Sequence, residues 1–342
     1  MYKRQVWARF EGIAQRGSLP VGVVPNGAHT GRDTGSGALN LQNVMRGSVL
    51  RYAICAPEGY KLVKADFEQV ECRKLAGSAG QENLLEDFRQ KRDPYCRFGT
   101  QYVYGRTIQN IPEDRHERHV CKSAVLGNGF GQGGRGFQSY LARSGVEMDE
   151  AESTRIVKAY RAAYPQIVSF WHDLMDLVPQ MMQFRNELLS VRVGTVDFRV
   201  GHETLVLPSG RWIRYPGLRE TEGDYGVEYC YARLRGRNAV TEKLWHGKVV
   251  ENVIQAMARD AMVEAQFRIL QRVKKAAAMG LPAGRTRLVH RVHDELIFCV
   301  PDEAAEQMRM VVEQEMRRTV EWLPNTPMDT DAVIVQSWGD VK

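Results

Sequence analysis

The sequence predicts an α+β fold, an antiparallel sheet with helices and an inserted helical lobe. Strand-like and helix-like segments come in mixed order, not in the alternating series that builds a doubly wound parallel sheet. Residues 81–180 read as helix almost throughout, whereas 190–235 are dense in β-branched and aromatic residues between Gly and Pro turns. Near the C-terminus two apolar runs, Arg287–Val292 and Glu295–Val300, are separated only by His293-Asp294, which demands a tight hairpin.

Each element has its own signal. Residues 16–49 are rich in Gly, Ser, Asn and Thr and read as an irregular loop. Lys61–Phe67 is the first clear strand. A helix follows from about Gln69, because Val70, Arg73, Lys74 and Gly77 share a face. The helical stretch is broken at Pro94, Pro112, the glycine cluster 127–136 and Pro165. After the short strands of 190–235, a long helix spans about 248–275. The hairpin, a helix at about 302–321 and a last strand at 331–338 complete the order.

Composition bounds the possibilities. The 342 residues are 43% hydrophobic, enough for a sizeable core, and carry a net charge of +6 from 47 Lys and Arg against 41 Asp and Glu. No run approaches the ~18 apolar residues of a membrane span. Met1–Phe10 has no apolar signal core, so a cytoplasmic protein is expected. Cys55, Cys72, Cys96, Cys121, Cys230 and Cys299 form no CxxC pair and have no His at zinc-finger spacing, which argues for a reducing compartment.

Three groups of residues carry potential chemistry. Asp66 ends an apolar strand, and Asp294 and Glu295 lie at the hairpin tip. Carboxylates on rigid strand ends repel unless cations sit between them, and hard cations such as magnesium favour carboxylate and phosphate oxygens. The same residues also suit a helix cap and a turn. Arg118, Lys122, Leu126 and Phe130 are four residues apart, so on a helix they form one slowly drifting stripe. Two cations followed by two apolar side chains match the phosphates and the sugar-base end of a nucleotide, and equally a solvated basic face. The cluster GNGFGQGGRG at 127–136 follows a helix rather than a strand and lacks a GK[ST] ending, so it is neither a dinucleotide-binding loop nor a P-loop.

Taken together, these segments resemble the motifs of family A DNA polymerases. Asp66-Phe-Glu-Gln-Val-Glu-Cys-Arg73 resembles motif A. Arg118-xxx-Lys122-xxx-Leu126-Gly127-xx-Phe130-Gly131 resembles motif B. Val292-His-Asp-Glu-Leu-Ile-Phe298 resembles motif C. Thr30-Gly-Arg32 with Asn40-Leu-Gln-Asn43, and Asn252-Val-Ile-Gln-Ala-Met-Ala-Arg-Asp260, are further matches in the family's order, with the flavour of phage-encoded members. The resemblance implies a polymerase palm with an inserted fingers subdomain: palm over 1–80 and 186–342, fingers over 81–185, with the motif B helix at about 113–127.

The resemblance further implies template-directed DNA synthesis on primer–template DNA with dNTPs and two Mg2+ ions. Asp66, Asp294 and the backbone carbonyl of Phe67 would hold the metals, with Glu295 close by. Arg118 and Lys122 would grip the triphosphate, and Lys122 would protonate the departing pyrophosphate. Tyr95 would add a phosphate contact, and Leu126, Phe130 and Gln69 would line the nucleotide. Glu71 would be the steric gate against a ribose hydroxyl. Arg32, Asn40, Gln42, Arg73, Gln255 and His293 would contact DNA. Three positions depart from the family pattern. Leu126 replaces an aromatic residue, Phe130 replaces the Tyr whose hydroxyl bonds the gate carboxylate, and Glu68 stands where Ser is common. The chain starts just before Thr30-Gly-Arg32, so thumb and exonuclease regions are expected on a separate polypeptide, as in a split or truncated enzyme. Alternatives are a ribonucleotide-incorporating polymerase and a catalytically silent DNA-binding subunit.

Overall fold

The structure, a computed structural model, describes residues 12–13, 15, 17–36, 40–45, 47–184, 187–223, 226–235 and 238–340. The reading of Met1–Phe10 lies outside them. The chain forms two compact units. One comprises residues 1–68, 258–318 and 328–342, the other 69–257 and 319–327.

The first unit is built on a four-stranded sheet. Strand Tyr60–Phe67 lies between Glu295–Pro301 and Thr330–Val335, and Arg287–Val292 pairs with the outer side of Glu295–Pro301, every neighbour antiparallel. Side chains alternate along the central strand, so Val63, Ala65 and Phe67 share one face and Leu62, Lys64 and Asp66 the other. Helix Ala305–Arg317 runs along Tyr60–Phe67 and Thr330–Val335. It buries Met308, Val311, Val312 and Met316, the three-to-four spacing of one helical stripe. On the Asp66 face, Leu62 packs with Ala56, Val292, Ile297 and Trp338. Lys64 crosses this face to donate to the backbone carbonyls of Trp338 and Asp340, fastening residues 338–340 over the sheet.

The second unit is a helical body with two antiparallel sheets. Asp93 caps helix Pro94–Phe98, whose first residue is a proline with no N–H to satisfy. Asp149 caps Glu150–Ala163. Phe98, Tyr160 and Tyr164 form a buried aromatic trio with centroids 5.0–6.2 Å apart. Helix Arg115–Gly127 buries Val120, Cys121, Ala124 and Val125 and leaves Arg115, His119 and Lys122 outside. The strand-rich region folds as a four-stranded meander, Leu189–Val193 to Trp212–Arg214, and a three-stranded one, Arg219–Gly223 to Asn238–Leu244. Helix His246–Ala278 runs for 33 residues through the division at Met257 and Ala258.

Several expected elements differ in detail. The loop at 16–49 holds a two-residue strand pair, Val23–Val24 with Thr34–Gly35, and a 3-10 turn at Leu41–Asn43. The last strand ends at Val335, because Gln336 and Trp338 turn to pair with Ala56 and Ile54. The expected helix 302–321 opens with a 3-10 turn and ends at Arg317. The helix of the basic stripe ends at Gly127, so Phe130 lies on a following 3-10 turn, Asn128–Phe130, and drifts off the stripe. The compact units divide at 68/69, 257/258, 318/319 and 327/328, and the two meanders cluster with the helices. The six cysteines are free. Among the described residues no helix is long and apolar enough to cross a membrane.

His290 is buried edge-to-face against Trp338 at 5.5 Å. Burial lowers its pKa from 6.5 to about 4, opposed by the Leu41 carbonyl and reinforced by Arg51. The unfolded chain therefore binds the proton more readily than the native one, and stability falls as pH drops from about 6.5 towards 4. Denaturant titrations across that window should show a loss approaching ~3 kcal/mol attributable to this group. In His290→Phe that part of the pH dependence should vanish.

Candidate active site

Asp66 stands one residue from the end of the central strand. Directly opposite it in register are Glu295 on one side and Asp331 on the other. Residues opposite each other in a ladder project to the same face, so three carboxylates line up across the sheet. The hairpin loop is tied to this point, because the Phe67 N–H donates to the Asp294 carbonyl at 3.2 Å. On the other flank the Glu68 N–H donates to the Asp329 carbonyl at 3.0 Å, and the Thr330 hydroxyl to the Asp66 carbonyl at 2.7 Å. The structure thus brings Asp66, Phe67, Asp294 and Glu295 to one end of one sheet. His293, exposed at the loop, has φ 50°, a left-handed conformation uncommon outside glycine and one way a site stores strain.

Glu295 is held from behind. Its carboxylate accepts from the Trp338 indole N–H at 3.3 Å and lies 3.9 Å from Arg51. Arg51 stacks over the Trp338 ring at 4.1 Å and donates twice to the Val44 carbonyl. Burial pushes the Glu295 carboxyl above its ordinary pKa. Trp338, Arg51 and Lys64 oppose that, and the neighbouring Asp66 adds to it.

In the helical unit, Arg118 and Lys122 line a groove of about 810 Å³ with Arg115, His116, His119 and Ser144. Lys122 is exposed. Arg118 is oriented by Asp93, with Nε and Nη2 at 2.8 and 2.7 Å from Oδ2. The other oxygen of Asp93 accepts from the N–H groups of Tyr95 and Cys96. One carboxylate therefore caps a helix and aims a guanidinium. Tyr95 is only 3% exposed, beneath Arg118 at 5.5 Å, and burial pushes its hydroxyl pKa up. Leu126 and Phe130 are half-buried, as are Gln69 and Glu71. Gln69 has φ 46° at the start of helix Val70–Ala79, a second left-handed non-glycine residue in motif A.

The residues expected to touch DNA fall into two groups. Arg32, Gln255 and His293 are partly or fully exposed, and Asn40 is exposed while capping the turn Leu41–Asn43. Gln42 and Arg73 are buried. Gln42 donates to the Arg291 carbonyl at 2.6 Å, and Arg73 donates to the Pro327 carbonyl and stacks over Phe88. Sequence reasoning missed Asp331, Thr330, Arg51, Trp338 and Asp93. Only Asp93 had a local signal, an Asp-Pro helix start. The others act across the sheet from segments remote in the chain.

Among the described residues no group of three or more His, Cys, Asp or Glu is arranged to hold a metal ion. The donors at the sheet end are all hard oxygens, which suits magnesium and not a soft-metal site. Burial raises the thiols of Cys72 and Cys121 to about 12, far from metal-binding or nucleophilic thiolates.

A model of DNA polymerase family A matches residues 13–340. The chain belongs to DNA polymerase family A. Among this family's curated members, a DNA polymerase of Bacillus phage SP02 is 28% identical over 290 residues, 84% of this chain and 42% of the phage protein. DNA polymerase I of Pseudomonas aeruginosa is 26% identical over 285 residues, 82% of this chain and 26% of its own length. The chain thus spans less than half of either relative. In fold it is similar to the POL domain of Pol1 from M. smegmatis, solved in complex with DNA primer-template and dNTP. The TM-score is 0.69 at 20% identity, covering 98% of this chain and 51% of that one.

The double use of Asp93 makes a stability prediction. Asp93→Ala removes both the cap and the ion pair and should cost roughly 1–2 kcal/mol in chemical denaturation. Asp93→Asn keeps a capping oxygen and should cost less than half of that.

Proposed function

We propose that the chain carries out template-directed DNA synthesis, transferring a dNMP from a dNTP to a primer 3′-hydroxyl. The observation that carries this reading is the backbone-locked meeting of Asp66 with the Asp294 loop at one sheet end. Asp66, Asp294 and the Phe67 carbonyl would hold two magnesium ions. Such ions, when bound, activate the attacking hydroxyl and stabilise the leaving oxygen of an in-line displacement. Glu295, held by Trp338 and Arg51, keeps the negative field beside Asp66 in a fixed place. Arg118 presents an oriented guanidinium fork to the triphosphate, and Lys122 contributes a charge and a proton for the departing pyrophosphate. Tyr95 supports Arg118 from below rather than reaching phosphate itself. Gln69, Glu71, Leu126 and Phe130 shape the sugar and base side of the nucleotide. Arg32, Asn40, Gln255 and His293 are the DNA contacts, with Gln42 and Arg73 supporting them through backbone carbonyls. The chain is a fraction of its relatives' length, so thumb and exonuclease functions are assigned to polypeptide outside it. By itself it should make short products.

Asp66→Ala and Asp294→Ala should each cut primer extension on the order of a thousandfold, the several kcal/mol that metal-borne charge stabilisation supplies. Primer–template affinity in a mobility-shift assay should stay within about threefold. Retained extension in both variants would remove the metal assignment, whereas DNA binding without extension by the wild type would favour a silent DNA-binding subunit.

The specific observation favouring ribonucleotide use is Phe130, which has no hydroxyl with which to hold Glu71. Phe130→Tyr should raise the dNTP over rNTP preference in single-nucleotide incorporation by about two- to tenfold, the worth of one hydrogen bond.

A further inference from the structure

Strand Arg287–Val292 of the first unit runs directly into the His293-Asp294 loop, and one charged side chain on it serves none of the roles above. Arg291 stands opposite Leu296 in the ladder, and Leu296 opposite Ala65, so Arg291 projects from the face away from Asp66. Its Nε donates to Asp33 Oδ2 at 2.8 Å, its Nη2 to the same oxygen, and its Nη1 to Gln266 Oε1 at 2.8 Å. The Asp33 side chain is 7% exposed and that of Arg291 18%. Water and salt screen so sheltered a pair only weakly. Asp33 follows Arg32 in a loop that rests on the strand pair Val23–Val24 and Thr34–Gly35. Two residues per strand are too few to hold a loop unaided, and tertiary bonds supply the rest. The other Asp33 oxygen accepts from the Asn26 N–H at 3.3 Å. Asn26, left-handed at φ 56°, accepts in turn from Arg259 Nη2 at 2.8 Å. The Arg291 carbonyl accepts from Gln42, whose N–H is capped by Asn40. Arg291 therefore reaches the Arg32 loop with its side chain and the Asn40 turn with its backbone, three residues before Asp294.

We infer that Arg291 and Asp33 are positioning residues, whose ion pair fixes the Arg32 loop to the strand that delivers Asp294. DNA gripped by Arg32 and Asn40 is thereby registered to the carboxylates at the sheet end. This assignment rests on the polymerase reading, because it is that reading which makes Arg32 and Asn40 DNA contacts. The need for such a tie is geometric. A reacting group displaced by about 1 Å can cost about a hundredfold in rate. A loop free to shift that far would hold a primer–template without presenting its end. The pair acts from the far face of the sheet, so breaking it removes neither a carboxylate nor a DNA contact. What it removes is the fixed distance between them.

The test is a double-mutant cycle in the full chain, read as single-nucleotide incorporation at saturating primer–template. Arg291→Gln should lower kcat by about tenfold and leave KM for the dNTP within about twofold, as a misplaced reacting end requires. Arg32→Ala should cost a similar factor. The double variant should fall no more than about twofold below the worse single variant, because a loosened loop no longer delivers Arg32. Independent effects would instead multiply to about a hundredfold. Arg291→Lys keeps a cation beside Asp33 and should recover at least about threefold of the loss. Asp33→Asn, neutral and of the same size, carries the cycle if Arg291→Gln does not fold. Losses that multiply, an unchanged kcat in Arg291→Gln, or a loss confined to the dNTP KM would overturn the positioning role. The same cycle is read as primer–template affinity in a mobility-shift assay, which needs no chemistry. A wild type that extends nothing would sink the polymerase reading, while the binding cycle still decides for the ion pair if its losses overlap and against it if they multiply.

Discussion

The candidate chemistry of this chain depends on one backbone ladder. Asp66 is opposite Glu295 and Asp331 only because Tyr60–Phe67 pairs in this register with both neighbours, and the Phe67 N–H closes onto the Asp294 carbonyl. A slip of one residue would turn Asp66 to the face now occupied by Val63, Ala65 and Phe67 and bury it without partners. The register is held by the apolar alternation on both faces. Leu62 and Ile297 pack with Trp338 on one side, and Val63, Leu296 and Phe298 are buried on the other. Packing far from the carboxylates thus determines where they stand.

Lining up acidic groups across a sheet is unfavourable, since each raises its neighbour's cost of ionising. The structure offsets this locally. Trp338 and Arg51 hold Glu295 and Lys64 reaches across the same face, while Thr330 fixes the Asp66 backbone through its carbonyl. These partners come from residues 51, 64, 330 and 338, so the polar end of the sheet is a tertiary product with no counterpart in a local motif. Of the five non-glycine residues with positive φ among the described residues, two, Gln69 and His293, occur where motif A and motif C leave their strands.

The helical unit solves a different problem, which is to present cations without letting them wander. A long Arg side chain loses considerable rotamer entropy when it is fixed on a ligand. Asp93 removes part of that freedom in advance by gripping Arg118 with an oxygen not needed for the helix cap, while Tyr95 supplies a floor. Lys122 stays exposed. One cation is pre-aimed and the other is open to solvent, which suits an orienting contact and a proton donor respectively.

The sequence by itself determined the element order, the hairpin at His293-Asp294, the strand bearing Asp66, the basic helix and, through five motifs in order, membership of the polymerase family. These are local patterns, legible because strand alternation, helical stripes and tight turns repeat over a few residues. It did not determine that the helix of the stripe stops at Gly127, because a 3-10 turn there depends on Trp171 reaching the Gly129 carbonyl. Nor did it show that Gln42, Arg73 and Tyr95 are buried, or that Asp331, Trp338, Arg51 and Asp93 serve the candidate site. Those facts arise where segments tens to hundreds of residues apart meet. Which side chains meet there is set by packing and register, and no spacing along the chain encodes it.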